Sequence, residues 1–547
     1  MIRRDESIAH PPGRHDGSSR SVAVTRPVSA LQRTAHGPIG VVLACVVSVA
    51  LGWNASPVRA GGDHIRPPAV AGQFYPADST VLARAVDCYF EDAIIPLAER
   101  PIALIAPHAG YIYSGQIAAD AFCQASSFDY DVIVLLGTNH TVPRFSGVSV
   151  YAEGAFRTPL GDVPVARDLA ARLLATDKDV TFIESVHARE HSIEVLLPFV
   201  QRLFPHVPIL PAVIGEPDLA LCTRFGEALA ASLAGRRPLI VASSDLSHYP
   251  DYEDARRIDR ETIRAILTLD ADSIHQTLGR LVRRNVANLV TCACGEAPIM
   301  VAAVAARHLG AHGARLISRA NSGETALADR TRVVGYAAIA IVRDSLADNG
   351  ITIAESGLTP ADTPVLTPEG KRTLLRFARK TIRQFLETET APLARGDDPD
   401  LLRGAGVFVT LKERGELRGC IGHMAADLPL EQAVGYCALQ AAFNDRRFPP
   451  LEPEELPQAQ IEISILTPYR PVSSYEDIQV GRDGVLLEKD GRSAVFLPQV
   501  ATEQGWDRDQ MLEQLCAKAG LPRDAWRTGA RFQTFQAKVF SESDFDR

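Results

Sequence analysis

Between residues 101 and 342, short and nearly continuous apolar runs alternate with stretches whose apolar positions recur at helical spacing. The runs are PIALIAP (101–107), DVIVLLG (131–137), VPILPAVIG (207–215), RPLIVAS (237–243) and RVVGYAAIAIV (332–342). Runs with so few polar residues predict strands buried on both faces, as in a parallel sheet covered by helices. Between them DLAARLLAT (168–176), EVLLPFVQRLF (194–204) and ARRIDRETIRAILTL (255–269) predict helices. This alternation reads as an α/β domain with a mostly parallel sheet over 61–344.

Residues 345–365 are polar and rich in Pro, Gly, Thr and Asp, which predicts a linker. The block 366–547 predicts an α+β domain. It opens with a helix over PEGKRTLLRFARKTIRQFLET, with Pro in the first turn. GVFVTLKERGELRGCIG predicts strand, turn and strand, and PLEQAVGYCALQAAFND a helix. QIEISILTP alternates like a half-buried strand, and VLLEKDGRSAVFLPQ predicts a hairpin turning at Asp490-Gly491. A last helix is predicted through TEQGWDRDQMLEQLCAKAG, ended by Gly520.

The first 60 residues have a different character. Residues 1–36 carry six Arg and no Lys, and an apolar run from Gly37 to Trp53 leads into NASPVRA. That order predicts an export signal peptide, or a membrane anchor, behind an Arg-rich leader. The run is short for a spanning helix. The expected location is exported, periplasmic or membrane-anchored if this segment is used, and cytoplasmic if it is not. The formal net charge of −9 argues against a nucleic-acid partner, since phosphate contacts need clustered Lys and Arg. Nine cysteines are scattered without a CxxC pair, so no disulfide framework is predicted.

Polar residues follow directly on three of the apolar runs. His108 closes IALIAPH, His140 closes VIVLLGTNH, and Asp245 with His248 closes PLIVASSDLSH. Residues just past the carboxyl ends of parallel strands share one rim, where ligands bind. Each His alone also reads as a loop-capping group. Cys294, in TCACGEAP before an apolar helical stretch, is a further candidate, its thiolate favoured by the helix entrance; a small buried residue is the plain alternative. In HAREHSIE (187–194), His191 is a catalytic candidate, Ser192 a candidate N-cap, and Glu190 or Glu194 a candidate to orient an imidazole.

RPPAVAGQFYPAD (66–78), APHAGYIYSG, GTNH, EHSIEVLLPF, SSDLSHY, CG-x-x-PI and NSGE…RVVGYAAI (321–339) resemble the Memo family in order and spacing. That family shares a three-layer fold with LigB-like class III extradiol dioxygenases, which use non-haem iron(II). The resemblance implies His108, His140 and Cys294 as metal ligands, with Asp245 and His248 as the neighbouring polar pair, His248 at the acid–base position. Dioxygenases of this type place a carboxylate where Cys294 stands. A softer thiolate admits copper or zinc beside iron, and Glu296 is the nearby alternative carboxylate.

LRGCIG (417–422), AAFNDRRFPPL (441–451), ELPQAQIEISILTP (455–468) and LPQVATEQGWDRDQMLEQLCAKAGLP (497–522) resemble the AMMECR domain. There Cys420 is a candidate nucleophile with Arg418 beside it to favour thiolate; a tight turn that tolerates a small residue is the alternative. In prokaryotes the two families are encoded beside a radical-SAM protein, an arrangement called AmmeMemoRadiSam, and such a protein is the implied partner.

The leading expectation is a metal-binding, redox- or dioxygenase-like component of that system, acting on an unknown small molecule or peptide. Iron(II) is expected first, copper second and zinc third. His248 would move a proton and Asp245 would orient it. The rival readings are a non-catalytic module that binds a peptide or partner in the cleft, and a Cys420-dependent enzyme.

Overall fold

A computed structural model describes residues 64–344, 364 and 366–545, apart from 328 and 397. The leader, the apolar run and nearly all of the linker lie outside the described residues. Among the described residues no helix is long and apolar enough to cross a membrane.

Eight strands make the central sheet of the N-terminal domain. They are β1 (Ala103–Ala106), β2 (Val132–Thr138), β3 (Val148–Val150), β4 (Val180–Thr181), β5 (Ile209–Ile214), β6 (Pro238–Ser243), β7 (Gly313–Asn321) and β8 (Gly335–Val342). Their order is β7-β8-β1-β6-β2-β5-β3-β4. The four central strands, β1, β6, β2 and β5, run parallel, and β8 and β3 flank them antiparallel. All five apolar runs become strands of this sheet, and β7, a long edge strand with mostly half-buried side chains, joins them.

The sheet is buried on both faces because its side chains alternate between two cores. Val132, Val134, Leu136, Ile240 and Ala242 face a core completed by α3 (Leu219–Ser232), α4 (Tyr252–Leu267), α5 (Ala271–Val282) and α6 (Glu296–His308). Ile133, Leu135, Leu239 and Val241 face the other, completed by α1 (Ser79–Glu91), α2 (Tyr111–Cys123) and the short helix Leu197–Leu203. This mixed α/β architecture, helices on each side of a mostly parallel sheet, is the predicted one. Asp78, Asp218, Asp251 and Asp270 cap the N-termini of α1, α3, α4 and α5 with side-chain hydrogen bonds.

Residues 364–464 belong to the same compact unit as the N-terminal domain. They form α7 (Pro368–Thr388), the hairpin β9 (Val407–Glu413) and β10 (Glu416–His423), α8 (Leu430–Phe443) and β11 (Ala459–Leu466). Buried Gln432 of α8 donates to the carbonyls of Gly323 (2.6 Å) and Thr325 (3.2 Å). Residues 465–539 form a second compact unit. Its four strands include the expected hairpin, Gly484–Lys489 with Arg492–Phe496. The single helix predicted near residue 510 is two, Pro498–Glu503 and Arg508–Lys518. Gly505 takes a left-handed φ of +66°, and Asp507 with Gln510 makes a capping box that starts a new helix.

Candidate metal centre

His108, His140 and Asp245 each stand two residues past a strand: β1, β2 and β6. Parallel pairing sets these three strand ends side by side. Two groups of possible ligands form at this rim, each with donor atoms within 4.8 Å of one another: His108 with His140 and His191, and His108 with Asp245 and Cys294. His108 belongs to both. The sulfur of Cys294 lies 3.3 Å from His108 Nε2, while the group containing His140 is completed by a third imidazole, His191.

The neighbours of these side chains set which ring nitrogen is free. The Ser243 hydroxyl donates to the Ser192 carbonyl at 2.5 Å, so it accepts from His108 Nδ1 at 2.7 Å. That leaves the Nε2 lone pair of His108 facing the cluster. His140 Nδ1 donates to Glu190 Oε1 at 2.9 Å, and the His140 backbone N–H donates to Oε2 at 2.7 Å. Glu190 Oε1 also accepts the Ser192 N–H (2.9 Å) and lies 3.5 Å from His191 Nδ1. His140 and His191 stack with centroids 4.5 Å apart, and Phe74 packs against His191 at 4.8 Å.

Burial and the neighbouring His140 push His108 well below its usual range. Burial, His108 and His140 push His191 down to about 3. Both imidazoles are therefore neutral at physiological pH and keep a lone pair, as metal ligation requires. Burial works to raise the Glu190 carboxyl, yet the His140 hydrogen bond, the charges of His140 and His191 and the Ser192 N–H hold it down to about 2.

On the other side of His108, Asp245 Oδ1 accepts the His108 backbone N–H at 2.8 Å. The Asp245 N–H points at Cys294 Sγ (3.3 Å), and Cys294 N–H donates back to the Asp245 carbonyl (3.2 Å). Gly295 lets this turn approach β6: a Cβ there would sit 2.3 Å from the Ser243 carbonyl oxygen. The expectation of an acidic Cys294 thiol needs correction. Burial and the Asp245 charge push it well above the ordinary thiol range; the helix starts beyond it at Glu296, with Gly295 as N-cap. Glu296 itself pairs with His275 at 2.7 Å.

His248 is oriented by the Leu246 carbonyl, which accepts from Nδ1 at 2.9 Å. Its electrostatic influence reaches His108 and Asp245. Of the two glutamates in HAREHSIE, Glu190 orients His140. Glu194 is committed elsewhere, to Arg66, to the N–H groups of Ala69 and Val70, and to the Tyr75 hydroxyl (2.6 Å). Ser192 is not a cap: its hydroxyl donates to the Thr138 carbonyl at 3.1 Å. Ser243, which fixes the His108 tautomer, had no sequence signal beyond its place at a strand end.

Residues 66–340 match the family model described as a Memo-like protein. The chain belongs to the Memo family. A MEMO1 family protein of Methanosarcina barkeri is 41% identical over 281 residues, covering 51% of this chain and all of that protein. A MEMO1 family protein of Desulfurococcus amylolyticus is 38% identical over 287 residues, 50% of this chain and 98% of its own length. Residues 375–540 match the AMMECR1 family model, so the chain joins a Memo domain to an AMMECR1 domain. A crystal structure from Pyrococcus horikoshii is 38% identical, covers 31% of this chain and 89% of that chain, and superposes with a TM-score of 0.30.

In the AMMECR1 domain Cys420 lies on β10, with the Thr410 hydroxyl donating to its sulfur at 3.2 Å. Arg418, expected to favour the thiolate, is instead committed to Glu455 through two bonds of 2.7 and 2.9 Å. Burial pushes the Cys420 thiol up, against the opposing influence of Thr410 and Arg447. His423 faces Asp427 at 2.5 Å.

Proposed function

We propose that the Memo domain holds one transition-metal ion beside His108 Nε2 and uses it in redox- or oxygen-linked chemistry on a small molecule or peptide. His108, His140 and Cys294 are the ligands in this reading, with His191 at a fourth position; because Cys294 groups with His108 and Asp245 and not with His140, the sulfur and the His140 ring must draw together as the ion binds. One observation carries it: imidazoles from separate segments converge within 4.8 Å, and His108 and His140 already have Nδ1 engaged by Ser243 and Glu190. An ion bound at 2.0–2.3 Å from its donors separates them by roughly 3–4 Å; the 3.3 Å between His108 Nε2 and Cys294 Sγ suits that spacing.

The donor set of imidazoles and one cysteine sulfur, whose thiol would release its proton as the ion binds, fits iron(II), which we place first, copper second and zinc third. Such an ion supplies Lewis acidity or electrons to a substrate at an open position. Glu190 and Ser243 orient the imidazoles and fix their tautomers. His248, its Nδ1–H held by the Leu246 carbonyl, offers Nε2 as a base at the same rim. A radical-SAM protein is the proposed partner.

Metal analysis of the purified full chain tests this reading. Near-stoichiometric iron or copper, lost in His108→Ala with the fold intact, supports it. Full-chain protein that folds, takes up no metal on reconstitution and still binds a peptide in the cleft overturns it in favour of a non-catalytic module.

A further inference from the structure

The end of the sheet opposite the metal centre carries a cluster of cations that the function above does not use. Pro238 opens β6 and Arg343 follows β8, and both line a cavity of about 240 Å³. Its charged lining is Glu99, Arg100, Arg236, Arg237 and Arg343. Four guanidinium groups and one carboxylate are the charges that line it.

Two of the four are neutralised. Arg236 pairs with Asp168 at 2.7 Å, and Arg237 makes contacts of 2.8 and 3.2 Å to Asp131 Oδ1 with Asp129 at 3.8 Å. The other two have no ion pair among the described residues. The Arg100 guanidinium lies over the Tyr130 ring, 5.0 Å from its centroid, and its Nε is buried with no hydrogen-bond partner. Arg343 is exposed at the cavity edge. Glu99 accepts the Asp344 N–H at 2.8 Å through Oε1, which leaves its second oxygen able to take a hydrogen bond.

We propose that this cavity binds a phosphate-bearing small molecule. Guanidinium forks match the several oxygens of a phosphate, and charge-assisted bonds to it are about twice as strong as neutral ones. Glu99 adds an acceptor, so the organic part of the ligand carries a hydroxyl, as in a phosphorylated polyol. Free inorganic phosphate shares the anionic chemistry and lacks that hydroxyl-bearing part.

The test is calorimetric titration of the full chain with inorganic phosphate and with glycerol phosphate, against chloride at matched ionic strength. Saturable binding of both, with glycerol phosphate severalfold tighter, is expected. Equal affinities keep the anion site and assign it to the free ion. Losing one charge-assisted contact weakens binding roughly tenfold or more, so Arg343→Gln, a surface change, should lower both affinities by that factor and leave metal content unchanged. Arg100→Gln should do the same. Heats no larger than those of chloride, or affinities unchanged in Arg343→Gln, overturn the proposal.

Discussion

Glu190 grips His140 twice, taking the ring Nδ1–H at 2.9 Å on one oxygen and the backbone N–H at 2.7 Å on the other. A buried carboxylate used in this way fixes both the place and the tautomer of an imidazole, with Nε2 left to bind an ion. Glu190→Gln keeps the shape and loses the charge. Metal affinity, measured by chelator competition, should fall roughly 10- to 100-fold. An unchanged affinity would remove Glu190 from the centre's design.

Arg66 and Glu194 form a buried ion pair that ties the start of the domain to HAREHSIE, and Arg66 also donates to the carbonyls of His187 (3.1 Å) and Glu190 (2.6 Å). Removing one partner leaves an uncompensated buried charge. Arg66→Ala should cost roughly 3–5 kcal/mol by denaturant unfolding. A loss below about 1 kcal/mol, the range of an exposed pair, would contradict this.

Asp259 is buried beneath the loop that carries Asp245 and His248, with Ser247 N–H donating to it at 3.0 Å. Burial, opposed by the Ser247 N–H, raises its carboxyl to about 7. A carboxyl raised on folding contributes stability below its unfolded pKa near 3.9 and loses that contribution as pH rises through its folded value. The penalty amounts to a few kcal/mol above pH 7, at about 1.4 kcal/mol per pKa unit. Asp259→Asn should therefore gain stability relative to the parent from pH 5 to 7.5, the difference levelling off above that. Thermal unfolding across this range checks the sign, and a difference that shrinks as pH rises would be the wrong one.

Burial raises the Cys420 thiol, and Arg418 is held by Glu455. Labelling of Cys420 by a thiol-specific reagent at pH 7 should be no faster than that of a small free thiol. Markedly faster labelling would revive the reading of Cys420 as a nucleophile.

His108, His140 and Asp245 were legible in the sequence because each follows an apolar strand by two residues, and parallel pairing sends such exits to one rim. His191 was legible only as a candidate without a place. It lies in a loop, and what brings it to the site is Glu190 reaching His140, 50 residues away, and Ser192 reaching Thr138. Those contacts depend on the packed fold and leave no period in the chain. The burial that lifts the Cys294 and Cys420 thiols was hidden for the same reason: a helix entrance or a neighbouring Arg can be read from letters, whereas desolvation and the commitment of Arg418 to Glu455 cannot. The edge strand β7 escaped because GARLISRAN has neither a continuous apolar run nor clean alternation.

X-ray absorption at the metal edge of iron-loaded full-length protein addresses the shared His108 hub most directly. The arrangement predicts two or three imidazole nitrogens and one sulfur near 2.3 Å, the sulfur disappearing in Cys294→Ser and the whole signal in His108→Ala. A shell of nitrogen and oxygen alone, identical in Cys294→Ser, or full metal content in His108→Ala, would contradict it.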